Sequence, residues 1–191
     1  GPSHAEEVIE GHPTTLVSAS PNTKAARAVQ KLFSNETLRI YVNADIKGVE
    51  LGGSIKNVIA IAAGIVDGIG YGDNTKAALL TRGLSEISRL GAAMGGSITT
   101  FSGLSGIGDL MVTCFSKYSR NRFIGEKIGK GKSLTEILKE MSMVAEGVST
   151  AESVYQLSKK YRIEMPISHS VHDILFKEKD PKTAIHELMS R

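Results

Sequence analysis

The sequence predicts a mainly α fold that opens with a short α/β segment, and three observations carry that prediction. Residues 14–42 read in turn as strand, helix and strand. After Asp45 no convincing strand follows, and apolar residues recur at helical spacing instead. The stretch Gly48–Gly72 is apolar on nearly every side from Val58 to Ile69, the signature of a buried helix. The boundary falls near Asn43–Asp45, which gives an α/β segment of residues 1–44 and an all-helical unit of residues 45–191.

In chain order, His4–Glu10 reads as a short helix, with Ser3 as N-cap and Glu6 at capping-box spacing. Thr14–Ala19 reads as a buried strand. Ser20–Phe33 reads as an amphipathic helix capped by Ser20, with Pro21 at its first position and a stripe of Ala25, Ala26, Val29, Leu32 and Phe33. Thr37–Val42 alternates as a second strand. Two strands do not make a stable sheet alone, so this segment reads as the tail of a domain whose beginning is absent. The long helix follows Asp45, and Gly70–Asn74 is a turn. Asp73 or Asn74 then caps a second long helix reaching about Ala93, with a stripe of Ala77, Leu80, Leu84, Ile87, Leu90 and Gly91. Thr99–Gly108 reads as turns with a short helical start, and Asp109–Cys114 is largely apolar. Further helices are predicted over Ser119–Ile128, Ser133–Met141 (with a Ser133/Glu136 capping box), Val148–Tyr161, Pro166–Phe176 and Pro181–Met189.

Composition removes several function classes. The length, 191 residues, suits one sizeable domain, or one domain plus part of another. A net charge of +3 is too small to imply a nucleic-acid partner. Cys114 is the only cysteine, which rules out an intrachain disulfide and fits a reducing cytoplasm. The apolar run Val58–Val66, interrupted at Asp67, falls short of the roughly 20 residues that a bilayer demands, so no membrane insertion is expected. The N-terminus lacks the apolar core of a signal peptide.

Three groups of residues could carry chemistry. Lys56 and Asn57 stand where the buried helix begins. A buried ammonium is costly and is therefore paired, neutralised or functional. Gly52, Gly53 and Ala60 share the face of Lys56 and are too small to crowd it, which leaves a cleared floor beside the amine. The competing reading is a lysine whose stem packs while its head reaches solvent. Ser119–Arg122, SRNR, places a serine cap, Arg120 and Asn121 at a helix N-terminus, where free N–H groups favour phosphate. The alternative is a basic solvated helix face; RNA binding lacks interleaved aromatics for stacking. Asp109 and Thr113, one helical turn apart, could share a face, or serve as a helix cap and a core hydroxyl. The glycine clusters 48-52-53, 68-70-72 and 103-106-108 do not sit between a strand and a helix, so they read as packing or turn glycines and not as a dinucleotide turn. The five histidines are scattered and read as structural or solvated, and no ligand spacing suggests a metal.

Five stretches then converge on a family. GPSHAEEV, KNVIAIAAGIVDGIGYGDNTKAAL, GIGDLMVTC, SRNR and VAEGVSTA occur in this order and spacing. Together they resemble the bacterial-type NAD(P)-dependent sn-glycerol-3-phosphate dehydrogenases, from Gly1 to about Met189. The resemblance implies a fold in which residues 1–44 are the last α/β elements of a truncated Rossmann domain and residues 45–191 an all-helical substrate domain. The first, phosphate-binding turn and a second substrate lysine lie upstream of Gly1 in that pattern.

The resemblance also implies roles. Lys56 matches the general base that takes the C2 hydroxyl proton; burial beside small residues favours the neutral amine that such a base requires. Asn57, Asp109 and Thr113 match positions around the substrate, with Asp109 orienting Lys56 or a substrate hydroxyl. Ser119, Arg120 and Asn121 match the phosphate grip. Gly1 and Ser3 match substrate contacts, and Ala5, Arg120, Val144 and Glu146 match contacts to NAD or NADP. The family further implies a cytoplasmic enzyme of glycerophospholipid precursor synthesis, homodimeric when intact, and inactive as this portion alone. A hydroxyacid or ketopantoate-type reductase would share the two-part plan but demand a carboxylate grip. A non-catalytic helical interaction module would leave Lys56 solvated.

Overall fold

The computed structural model describes residues 1–141 and 145–191. The two expected strands, β1 (Thr14–Ala19) and β2 (Leu38–Asn43), pair in parallel, from Thr14 beside Leu38 to Ala19 beside Asn43. They are joined by α2 (Thr23–Phe33). This helix starts later than the sequence suggests. Asn22, not Ser20, is its N-cap, and its side chain accepts from the amides of Lys24 and Ala25. Ser20 is used one step earlier, accepting from the Asn22 amide. Of the predicted apolar stripe only Ala26 is buried; Leu32 and Phe33 are 75% and 53% exposed. Two strands are too narrow a sheet to cover that face. The first helix, α1 (Ala5–Ile9), begins after His4 and has no side-chain cap, so the expected Ser3 capping box does not form.

All further elements are helical: α3 (Ile46–Ile69), α4 (Asp73–Ala93), α5 (Ile98–Phe101), a π-helical turn (Leu104–Gly108), α6 (Asp109–Phe115), α7 (Arg120–Gly129), α8 (Leu134–Glu140), α9 (Glu146–Tyr161), α10 (Pro166–Phe176) and α11 (Pro181–Met189). The axis of this unit is α3. Its N-cap, Asp45, accepts from the Gly48 amide with one carboxylate oxygen, and from the Ser97 amide and Thr100 hydroxyl with the other. One side chain thus starts α3 and ties α5 to it. At the other end Gly70 takes the left-handed conformation (φ 89°) that closes the last turn and is cheap only for glycine.

By length and hydropathy α3 could cross a bilayer, which the run Val58–Val66 alone does not suggest. In the fold 67% of its most apolar window is buried, and α4, α6, α7, α9 and α10 surround it, so it is a core helix. Gly72, without a side-chain bond, precedes α4; Asp73 is inside the helix and is not its cap. Leu80, Ile87, Leu90 and Gly91 of α4 face the core as predicted, whereas Ala77 is exposed. Lys76 is buried in its stead, its Nζ 2.5 Å from Asp67 of α3. Glu86, also buried, accepts from the Ile167 and Ser168 amides and the Ser168 hydroxyl, and so satisfies the first turn of α10 from another helix. Burial raises its carboxyl above the usual range despite those three bonds.

The contact that positions the site is between α3 and α7. A Cβ on Gly64 would lie 1.9 Å from the Arg122 carbonyl, and one on Gly125 1.9 Å from the Ile61 carbonyl. Gly68 and Gly129, one turn on, repeat the arrangement against Glu126 and Ile65. The two backbones touch with no side chain between them. Because Ile61 meets Gly125 and Ile65 meets Gly129, the helices run in the same direction, and the register carried back one turn sets Asn57 beside Asn121.

Gly64→Ala and Gly125→Ala are each expected to cost at least about 2 kcal/mol, since backbone cannot yield as a side-chain tip can. Gly53→Ala, with nothing within 4 Å of the added methyl, should gain about 0.5–1 kcal/mol from helix propensity. Chemical denaturation of the three variants checks the contrast. Cys114 lies within the core, and burial pushes its thiol up to about 12. The native chain at pH 8 should therefore resist iodoacetamide over a period in which the urea-unfolded chain is fully alkylated, as read by intact mass; equal labelling of both would contradict this.

Candidate active site

The register of α3 and α7 opens a cavity of about 240 Å³ at one end of the crossing. Its walls are Gly53, Lys56 and Asn57 of α3, Thr113 of α6, Tyr118 to Asn121 at the start of α7, Ala145 and Glu146 at the start of α9, and Ser3 and His4 from the N-terminal loop. Most of this lining is polar, unlike the surrounding core. Gly53, one turn before Lys56, has no atom of the described residues within 4 Å of where a Cβ would stand, so its side of the lysine is uncrowded.

Lys56 reaches this space from a helix whose next eight positions are almost all buried. Its Nζ lies 2.5 Å from Asp109 Oδ1, with side-chain exposures of 17% and 7%. A carboxylate this buried must be satisfied, and Lys56 satisfies it. Asp109 is the first residue of α6, where the helix dipole also favours a negative charge. Gly1 packs on the far side: its nitrogen lies 3.9 Å from Asp109 Oδ2, and a Cβ there would strike the carboxylate. Thr113, one turn along α6, donates to the Asp109 carbonyl at 2.6 Å, so the pair does share a face. Its hydroxyl hydrogen is engaged, and only oxygen lone pairs face the cavity.

The opposite wall is a converging pair of helix N-termini. Ser119 caps α7 by accepting from the Arg122 amide at 3.2 Å. Asn121, buried, accepts from the Gly147 amide in the first turn of α9 at 2.9 Å, which joins the two starts. That bond uses its carbonyl oxygen and leaves the side-chain NH₂ as a donor. Two helix starts beside Arg120 make a positive surface suited to an anion. Arg122 is different. It turns away to Asp67, with Nε and Nη2 each 2.7 Å from Oδ2, and Lys76 completes that second, separate cluster.

Of the positions expected from sequence, Ser3, Lys56, Asn57, Thr113, Ser119, Arg120, Asn121 and Glu146 line one cavity. Asp109 and Gly1 stand behind Lys56. Ala5 does not line it: it is the exposed first residue of α1, and the chain has turned outward by then. Val144 lies outside the described residues. Gly52 does not serve the cleared floor either, since a Cβ there would press on the Ser105 carbonyl at 2.6 Å; it packs α3 on the π-helical turn. Sequence reasoning missed His4 and Tyr118 as wall residues. His4 read as one of several scattered histidines, although its place directly after Ser3 was a signal. Its ring lies 5.9 Å from that of Tyr118, and its Nε2 is buried with no hydrogen-bond partner among the described residues.

Comparison with known proteins bears on the family and the fold. A family model described as "NAD-dependent glycerol-3-phosphate dehydrogenase C-terminus" matches residues 45–186. A protein of Salinibacter ruber named glycerol-3-phosphate dehydrogenase (NAD(P)+) 1 is 60% identical over 191 residues, all of this chain and 56% of that protein. One of Bacillus velezensis with the same enzyme name is 58% identical over all of this chain and 55% of its own length. The crystal structure of glycerol-3-phosphate dehydrogenase from Coxiella burnetii superposes with a TM-score of 0.96 at 42% identity, covering 100% of this chain and 59% of that one. The chain thus spans a little over half the length of the curated relatives it matches. With the matched region, the overlap with these relatives and the fold all in agreement, the chain belongs to the NAD-dependent glycerol-3-phosphate dehydrogenase family, of which it represents the C-terminal part.

Proposed function

We propose that this cavity is the substrate half of a dehydrogenase site that interconverts sn-glycerol 3-phosphate and dihydroxyacetone phosphate, in a cytoplasmic enzyme of glycerophospholipid precursor synthesis. The observation that carries the proposal is the opposition of two groups across one cavity: the Lys56–Asp109 pair on one side and the start of α7 on the other. A three-carbon phosphate bears one group for each. Its dianionic end suits the Ser119–Asn121 turn, and its C2 oxygen suits Lys56. Residues 1–44 are then the closing part of a dinucleotide-binding domain, and residues 45–191 the substrate domain. The exposed face of α2, around Leu32 and Phe33, suits the remainder of such a domain.

In the oxidative direction Lys56, as the neutral amine, takes the proton from the C2 hydroxyl. In reduction its ammonium donates that proton to the carbonyl oxygen. An ammonium has three N–H donors; one is given to Asp109 and two remain for substrate. Asn57 holds the substrate from the same helical turn, and Thr113 offers an acceptor to a hydroxyl. NAD or NADP, when bound, supplies the hydride acceptor or donor at C2. Gly53, Glu146 and the Ser3 loop line the same cavity as Lys56 and would border that cofactor. Arg120 and Glu146, with Ala5 at the loop end, are the residues proposed to hold that cofactor from the helical side. A reductase of carboxylate substrates fits less well, because paired helix starts with arginine and amide donors match a dianionic phosphate.

Two tests follow. By titration calorimetry the chain should bind sn-glycerol 3-phosphate saturably and show no binding of glycerol or ketopantoate, and Arg120→Ala should weaken that binding tenfold or more. Absence of saturable binding, or a preference for the carboxylate, would refute the assignment. With NADH or NADPH and dihydroxyacetone phosphate the 191-residue chain alone should show no turnover. In a chain extended by the N-terminal portion found in its relatives, Lys56→Ala should lower kcat by about 10²–10⁴ while changing KM far less.

A further inference from the structure

His4 is the wall residue to which neither the fold nor the proposed reaction gives a task. It is the N-cap of α1, yet its side chain makes no capping bond. Its Nε2 is inaccessible to solvent and has no hydrogen-bond partner among the described residues. Buried polar groups are normally paired, and a native exception calls for an explanation. A packing role alone does not give one, because an apolar ring would fill the same place without leaving a nitrogen unpaired.

Its neighbours indicate what it awaits. The ring is tilted against Tyr118 at 5.9 Å. Tyr118 directly precedes Ser119, so the His4 ring stands beside the start of α7. That side already carries the Ser119 cap, Arg120 and the Asn121 amide. An imidazole N–H there adds a donor from a different part of the chain, the loop before α1, to a grip otherwise built on α7 and α9.

We propose that His4 is a substrate-binding residue whose Nε2–H donates to a phosphoryl oxygen of the bound three-carbon phosphate. The inference rests on the substrate reading given above and deepens it, by making the loop preceding α1 part of the anion grip. It also accounts for the unpaired nitrogen: a turn of the ring about its side-chain bonds brings the enclosed Nε2 into the cavity that His4 lines, where the phosphoryl oxygen is its partner.

The experiment uses the 191-residue chain, the variants His4→Phe and His4→Gln, and three probes: sn-glycerol 3-phosphate, inorganic phosphate and glycerol. Phe keeps the ring against Tyr118 and removes the donor; Gln supplies an amide N–H near the position of Nε2. His4→Phe should bind sn-glycerol 3-phosphate about tenfold more weakly at an unchanged Tm, and His4→Gln should recover most of that loss. In ¹⁵N-histidine-labelled chain, the His4 Nε2 resonance should shift on saturation with sn-glycerol 3-phosphate or phosphate and stay in place with glycerol. Wild-type binding that His4→Phe leaves unchanged would overturn this inference alone. So would a resonance that phosphate does not move, or one that glycerol does. A wild-type chain that does not bind sn-glycerol 3-phosphate at all would overturn the substrate reading and this inference together.

Discussion

Direct backbone contact between α3 and α7 is the constraint on which the site depends. Gly64, Gly68, Gly125 and Gly129 remove every side chain that would otherwise hold the two helices apart. Ordinary helix pairs stand 8–10 Å apart because side chains intervene; here carbonyl oxygens fill the space a methyl would need. Such a contact admits one register. A slip of one turn, about 5.4 Å, would drive the Ile61 carbonyl onto Asn121 in one direction or the Arg122 carbonyl onto Ala60 in the other, each a residue with a Cβ. It would also carry Arg120 and Asn121 away from Lys56 and Asn57. The glycines are therefore remote from any chemistry and yet set the distance between the amine and the anion grip.

The same geometry sorts the buried charges. Arg120 and Arg122 are two residues apart in sequence but serve different clusters. Arg122 is neutralised by Asp67, which also holds Lys76, in a compact group on the α4 side of the core. Arg120 lines the cavity. Had Arg122 faced the cavity too, Asp67 would keep Lys76 but lose the donors on its second oxygen. The Lys56–Asp109 pair is likewise nearly enclosed, so its value lies less in net stability than in holding the amine at one point.

The elements were legible in the sequence because helix signals are local. Ser119, Ser133 and Asp180 cap where their residue types suggest, and Pro166 and Pro181 open helices as proline does. Local rules failed where two candidates competed: Asn22 displaced Ser20 because its side chain reaches two amides at once. They also failed at Lys76. The position, one turn before Leu80, continues the buried face; its charge is what assigns it to solvent, and only the long-range partner Asp67 reconciles the two. The cavity itself was legible mainly through the resemblance. Composition alone could not separate Arg120 from Arg122, nor mark His4 among five histidines, because those distinctions rest on contacts between residues far apart in sequence.

In the reaction proposed above, which must run both ways, the position of Asp109 relative to Lys56 has a consequence. A base that reverts to an acid needs its nitrogen in one place in both protonation states. As an ammonium, Lys56 donates to Asp109 Oδ1 through one of three hydrogens. As an amine it can keep that bond with one of two, which leaves its lone pair free to turn toward the cavity. The carboxylate thus anchors both forms, and the side-chain entropy of a four-carbon stem is paid at folding rather than at each turnover. Gly1 packs against the same carboxylate, so closely that no side chain fits between them. Three elements far apart in sequence, the N-terminal loop, α3 and α6, meet at this one pair, and the site is therefore a property of the folded chain and of no single motif.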